Sequence, residues 1–288
     1  MKIFQTVAEV QSFSSSIQQS GLRLALVPTM GALHEGHLRL VDEARRHAEK
    51  VVVSIFVNPT QFGPNEDFSR YPRTLEADLS ALSERGVSGV FTPSVIEMYP
   101  PNDQTWVYVV GLDTHLCGPF RPEHFRGVTT IVARLFLACR PHVAVFGLKD
   151  AQQFLILRRM VRDLHFGIEM VGMATVREAD GLAMSSRNRY LTEADRQKAS
   201  VISKAVFLGR DLIAGGERNP ALVENAMREV MESVAGVSVQ YAEVVDTEQL
   251  QRPVYLQPET DYLVAVAAYI GQTRLIDNQF VSTGNLAT

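Results

Sequence analysis

The sequence predicts an α/β fold, a Rossmann-like doubly wound parallel sheet over residues 1–175 followed by a smaller C-terminal α+β domain over residues 176–288. Three observations predict it. Val51 to Val57 is almost continuously apolar and rich in branched side chains, as a parallel strand covered on both faces requires. Such runs alternate with segments whose apolar residues recur at helical spacing. After Val176 the order changes to two helical segments followed by three strand-like runs.

Taken in order, Leu24, Leu26 and Val27 read as a strand closed by Pro28, and Leu40, Val41, Ala44 and Ala48 as a one-sided helix. The Val51–Val57 strand follows directly. Leu75, Leu79 and Leu82 keep helical spacing behind Thr74, a suitable N-cap, and Gly86 ends that helix before Val87 to Phe91 returns as strand. A Pro-rich stretch leads to an extended Trp106–Val110. A helix is then expected from about Thr129 to Cys139, a strand over His142–Phe146, a helix over Ala151–His165 and a strand over Ile168–Val176. In the second domain, Thr192-Glu-Ala-Asp195 starts a long helix that stops at Gly215-Gly216, and Asn219-Pro220 opens another that Gly236 closes. Val237–Val245, Tyr262–Ile270 and Thr273–Asp277 read as strands, the last two joined by a tight turn at Gly271-Gln272.

Composition narrows the function classes. Among 288 residues, 46% are hydrophobic and 21% charged, which is globular and leaves no basis for a disordered or fibrous chain. A net charge of -4 argues against a general nucleic-acid binder, and pairs such as Arg45-Arg46 and Arg158-Arg159 fall in helical patterns as solvated faces. Met1 to Val10 lacks the apolar core of a signal peptide, and no apolar run has the length to span a bilayer. A cytoplasmic protein with no membrane partner is expected. Cys117 and Cys139, the only cysteines, are too few for a disulfide framework or a thiolate metal site, so no protein-held metal is expected.

The residues richest in chemistry are Pro28-Thr-Met-Gly-Ala-Leu-His34-Glu-Gly-His37, where a strand turns into a helix. A helix start offers unpaired backbone N–H groups and a partial positive charge, so it attracts phosphate. Gly31 and Gly36 allow close backbone approach, and a three-residue spacing points His34 and His37 to one side. In an open parallel sheet, ligands bind beyond the carboxyl ends of the strands where strand order reverses, which makes two further loops comparable. Asn58-Pro-Thr-Gln61-Phe-Gly63 pairs two carboxamides, suited to a small substrate bearing hydroxyl and carboxylate groups. Gly147-Leu148-Lys149-Asp150 combines a glycine, a cation for phosphate and a carboxylate for a ribose hydroxyl or a Mg2+ shell, and runs into Gln152-Gln153. At the expected domain junction, Met184-Ser185-Ser186-Arg187-Asn188 sets two hydroxyls beside a guanidinium, a combination fit to grip polyphosphate and to close over a ligand.

The His34-Glu-Gly-His37 arrangement resembles the H-x-G-H signature of the nucleotidyltransferase superfamily. Together with Asn58–Gly63, Tyr71-Pro-Arg-Thr74, His124-Phe-Arg-Gly127, Phe146–Asp150 and Met184–Asn188, in order and spacing, it resembles the pantothenate synthetase (pantoate-beta-alanine ligase) family over essentially the whole chain. The resemblance implies ligation of pantoate to beta-alanine through a pantoyl adenylate, with ATP as co-substrate, AMP and pyrophosphate as products, and Mg2+ carried by the ATP phosphates. It implies a cytoplasmic homodimer with small-molecule substrates. It assigns Met30, Gly31, Ala32, Leu33, His34, Glu35, Gly36 and His37 to ATP, with His37 as proton donor and His34 its partner. Gly147, Leu148, Lys149, Asp150, Val176, Met184, Ser185, Ser186 and Arg187 complete the nucleotide site, with Lys149 also catalytic. Gln61 and Gln153 hold pantoate, Gln61 lies near beta-alanine, and Asn58 joins them as a substrate contact. Cys117, Glu123 and Leu148 depart from the family pattern. Two other readings share these motifs, an adenylyltransferase acting on a phosphorylated acceptor and a nucleotide-binding regulator without catalysis.

Overall fold

The computed structural model describes residues 1–64 and 66–284. They divide into two compact units, the first made of Met1–Val109, Arg121–Leu148 and Ile156–Ala174, the second of Val110–Phe120, Lys149–Leu155 and the rest of the chain from Thr175. Two segments from inside the 1–175 range thus group with the C-terminal part.

In the first unit, strands β1 (Lys2–Phe4), β2 (Leu24–Thr29), β3 (Lys50–Ile55), β4 (Gly89–Phe91), β5 (Val143–Gly147) and β6 (Glu169–Met173) form one parallel sheet in the order β1-β4-β3-β2-β5-β6. The chain winds outward from β2 through β3 to β4, then resumes at β5 on the other side. The order therefore reverses between β2 and β5. Alternation places Ala25, Val27, Val51, Val53, Val143 and Val145 on one face, where they pack with Leu40, Val41 and Ala44 of helix α2 (Glu35–His47) and Leu82 of helix α3 (Leu75–Glu84). Leu24, Leu26, Val52 and Ala144, on the opposite face, are equally buried, so these central strands read as unbroken apolar runs.

Several expectations are revised here. Helix α1 (Val7–Gln19) and strand β1 precede the first expected strand, and Thr6 caps α1 in a capping box with Glu9. Pro28 lies inside β2 rather than closing it. Helix α5 (His124–Cys139) begins well before Thr129, where Glu123, in the left-handed conformation, turns the chain into it. A single turn, α4 (Val95–Met98), follows β4. Trp106–Val110 joins neither sheet among the described residues; Thr129 and Thr130 instead hold Val107 through their hydroxyls. Helix α6 (Ala151–Asp163) and β6 end earlier than their apolar patterns suggest.

The second unit carries a three-stranded antiparallel sheet, β7 (Val237–Asp246), β8 (Asp261–Ile270) and β9 (Thr273–Ser282), in the order β7-β8-β9. The expected long helix is two, α7 (Glu193–Lys198) and α8 (Ser200–Ala214), divided at Ala199 where an i→i+3 bond from Ile202 tightens the turn. With α9 (Pro220–Glu232), α8 covers Val264, Val266 and Ala268 of the central strand through Ile202, Val206, Met227 and Met231. Strand β9 runs past Asp277 because its polar residues are paired. Asp277, with no side-chain exposure, accepts two guanidinium bonds from Arg177 at 2.6 and 2.9 Å, and Asn278 donates to the Lys149 carbonyl at 2.8 Å. Removing one member of a buried ion pair leaves the other uncompensated. Asp277→Ala is therefore expected to destabilise this unit by about 3–5 kcal/mol, measured by chemical denaturation followed by circular dichroism.

Candidate active site

The histidine loop leaves β2 at the strand-order reversal and enters α2 with His34 as an extended N-cap. The two rings lie 4.1 Å apart between centroids, tilted by 32°. His37 Nδ1 accepts the His34 backbone N–H at 3.4 Å, which leaves Nε2 as the ring position that carries a proton and donates. Glu35 pairs with Arg39 at 3.0 Å and Arg85 at 3.1 Å, so its charge beside the helix start is offset by two guanidinium groups. The loop itself is anchored from α3. Asp78, buried at 3% exposure, accepts the Ala32 and Leu33 N–H groups, both at 2.9 Å, and the Thr74 hydroxyl at 3.1 Å. Gly31, at φ 79°, suits this turn, since a side chain would be strained there and its Cβ would crowd Ile55 at 3.0 Å and Asp78 at 3.1 Å.

Beyond β3, the two carboxamides divide their labour. Asn58 is 1% exposed, and every hydrogen-bonding position of its amide is engaged: Nδ2 donates to Gln61 Oε1 and the Gly127 carbonyl, both at 3.1 Å, while Oδ1 accepts from Tyr99 at 2.8 Å and Thr60 at 3.0 Å. Asn58 thus holds the Gln61 carboxamide from beneath. Gln61 Nε2 in turn donates to the Met30 sulfur at 2.9 Å, so the carboxamide loop and the histidine loop touch. Helix α5 supports this floor closely. A Cβ on Gly127 would sit 2.3 Å from the Thr60 carbonyl, so glycine alone lets the helix approach.

The Gln61 backbone is fixed from a second direction. Its carbonyl faces His124 Nδ1 at 2.8 Å and accepts from Arg121 at 3.4 Å, and Arg121 grips Glu66 at 2.6 and 2.7 Å. Burial works against the Glu66 charge, but hydrogen bonding and attraction from Arg121 outweigh it and hold the carboxyl below the usual carboxylate range.

The expected residues of the second unit are held by their own contacts. Lys149 is half-buried and Asp150 exposed. Gln153 is half-buried, whereas neighbouring Gln152 is buried and ties the loop before it, accepting from the Cys117 N–H and donating to the Leu112 and His115 carbonyls at 2.9 to 3.0 Å. The Val176 carbonyl accepts the Met184 N–H at 2.9 Å, and Arg177 bonds the Gly181 carbonyl, closing a short hairpin. Ser185 then caps a turn from Ser186 to Tyr190 by accepting the Arg187 N–H, and Asn188 pins that turn to Ala183 and Glu178.

A sequence profile of the Pantoate-beta-alanine ligase family matches residues 2–280. The chain belongs to that family. It is 52% identical over 288 residues to a pantothenate synthetase of Salinibacter ruber, with 98% of each chain covered. Among solved structures it is similar to a pantothenate synthetase from Thermus thermophilus, with a TM-score of 0.88 and 45% identity over 97% of this chain and 99% of that one. A pantoate-beta-alanine ligase from Francisella tularensis, complexed with beta-gamma ATP and beta-alanine, gives a TM-score of 0.78 and 32% identity over 97% of each chain. The Rossmann-like sheet and smaller α+β part expected from the sequence are the fold of this pantoate-beta-alanine ligase.

Sequence reading missed the supports of the ligase site. Asp78 carried a signal, because Leu75, Asp78, Leu79 and Leu82 form one helical stripe and a carboxylate inside an apolar stripe needs a buried partner. Tyr99, Arg121 and Glu66 carried none, since their contacts join distant segments. The Glu66–Arg121 pair gives a pH test. A depressed carboxyl contributes stability that is complete above the ordinary carboxylate range and is lost as pH falls through the folded-state value. Glu66→Gln should therefore show a shallower fall in melting temperature than the parent protein between about pH 5 and pH 3, measured by differential scanning calorimetry.

Proposed function

We propose that this chain joins pantoate to beta-alanine in two steps at the expense of one ATP, forming pantothenate on the route to coenzyme A. The observation that carries the reading is the imidazole pair at the start of α2, 4.1 Å apart at the strand-order reversal, in a member of the pantoate-beta-alanine ligase family. A carboxylate is inert toward amines at neutral pH. Attack of the pantoate carboxylate on the α-phosphorus of ATP forms pantoyl adenylate and expels pyrophosphate; the beta-alanine amine then displaces AMP, losing a proton as the amide forms.

The chemistry requires placement and charge stabilisation, without a protein nucleophile. His37, with Nε2–H as donor, meets the charge that builds on the departing pyrophosphate, and His34 shares it. Gln61, fixed by Asn58 and by His124, takes pantoate and borders beta-alanine, with Gln153 as a second pantoate contact. The same reading assigns the nucleotide to Met30 through His37, Gly147 through Asp150, Val176, and Met184 through Arg187, with the Lys149 cation on the phosphates. Mg2+ accompanies the triphosphate. Among the described residues no group of three or more His, Cys, Asp or Glu is placed to hold an ion, and Mg2+ is commonly held by substrate phosphates and water, where it offsets phosphate charge.

No helix among the described residues is long and apolar enough to cross a membrane. Small soluble substrates fit a cytoplasmic enzyme with neither nucleic-acid nor membrane partner, and we assign a homodimer, which sedimentation equilibrium would test.

AMP should form only when pantoate, beta-alanine and ATP are all present, and omission of each in turn tests the reaction. AMP formation without beta-alanine, or with a phosphorylated acceptor, would refute it. His37→Ala should lower pantoate-dependent ATP-pyrophosphate exchange by about 10²- to 10³-fold, the usual cost of one preorganised donor. Lys149→Ala should impair the same half-reaction, whereas unchanged exchange would remove Lys149 from the phosphate contacts.

A further inference from the structure

Two successive residues of the histidine loop, Gly31 at φ 79° and Ala32 at φ 50°, adopt the left-handed conformation. For Ala32 this is strained, because a Cβ crowds the following carbonyl, and Ala32 is buried at 1% exposure with no solvent to relieve it. Consecutive turn residues of this kind gather their N–H groups into a concave nest that binds an anion. Here the nest already holds one. The Ala32 N–H donates to Asp78 Oδ2 and the Leu33 N–H to Oδ1, each at 2.9 Å, one backbone donor per carboxylate oxygen. The carboxylate also lies in the first turn of α3, where the helix dipole favours a negative charge, and Thr74 donates to Oδ1 from the N-cap position. Leu33 is followed directly by His34, whose own N–H meets His37 Nδ1. The path from Asp78 to the imidazole pair is thus one residue of backbone and one hydrogen bond.

We propose that Asp78 is the positioning residue of this active site: by filling the Gly31–Ala32 nest with the protein's own anion, it fixes the orientation of His34 and His37 and leaves those N–H groups closed to the triphosphate. A phosphate oxygen cannot take the Ala32 and Leu33 donors while the carboxylate holds both, so phosphate is directed to the imidazole side of the loop. This rests on the adenylating role given above to the histidines. The Asp78 carboxylate bonds Ala32, Leu33 and Thr74, and its effect passes through His37.

Asp78→Asn tests this with almost no change in shape. A carboxamide keeps one acceptor and turns an N–H against the other backbone N–H, which breaks one of the two nest bonds. In pantoate-dependent ATP-pyrophosphate exchange, kcat should fall about 10- to 100-fold, the scale of a misplaced catalytic group, while KM for ATP changes much less. In the His37→Ala background the same substitution should cost no more than about twofold, because the two residues act as one unit. Thr74→Val, which removes one donor to the carboxylate, should give a smaller loss with the same dependence on His37, and serves where Asp78→Asn does not fold. A folded Asp78→Asn or Thr74→Val protein with parental exchange, or an equal loss with and without His37, would overturn the inference. Absence of exchange in the parent protein would instead refute the adenylation reading. The imidazole resonances of His34 and His37 would then decide the positioning role: displaced in Asp78→Asn, they support it, and unmoved they overturn it.

Discussion

Pro28 sets a constraint on which the site depends, because it cannot donate a hydrogen bond to a neighbouring strand. The Arg23 and Thr29 carbonyls accept from Lys50 and Phe56 on the β3 side, whereas the Leu24 carbonyl accepts from His142 on the β5 side. Pro28, an even number of residues from Leu24, therefore faces β5. Pairing between β2 and β5 runs only through Ala25 and Leu26, while β2 stays paired with β3 as far as Thr29. A proline in a central strand is tolerated because its missing donor falls just beyond the last bond on that side. The strands part there, and the chain enters the histidine loop at the carboxyl edge where strand order reverses.

Around that opening, precision comes from polar groups held beneath the surface. Asp78, Asn58 and the Glu66–Arg121 pair each tie one loop to a distant segment, and each is satisfied from more than one direction. Burying such groups is costly unless they are paired, so each network has one good arrangement and few tolerable alternatives. Tyr99 shows the same balance. Burial raises its hydroxyl above the ordinary phenol value, which keeps it protonated as the donor that Asn58 needs.

The sheet was legible because its strands are apolar runs and its helices are one-sided, patterns that burial on one or two faces imposes. The motif loops were legible because glycine, proline and paired polar residues cluster at the carboxyl ends of those strands. What escaped notice depends on contacts between segments far apart in sequence. The bonds of Asn58 to Tyr99 and Gly127 were not legible, because a carboxamide in a loop carries the same chemistry whatever distant group it meets. The apolar pattern of β9 stops at Asp277 because a polar pair usually leaves the core, and only the distant Arg177 explains why this pair stays in it. The split at Ala199 lies inside a continuous helical pattern, and a tightened turn leaves the apolar spacing almost unchanged.

The two compact units are interlaced along the polypeptide. Val110–Phe120 and Lys149–Leu155 are excursions of the chain into the second unit, and each returns to the first. No single scission releases either body whole. A fragment ending near residue 174 would carry both excursions without the strands they group with, and its complement would lack Lys149 altogether. Such a chain is not modular: loss of its C-terminal part would leave a cation and a buried glutamine behind, without the body they belong to.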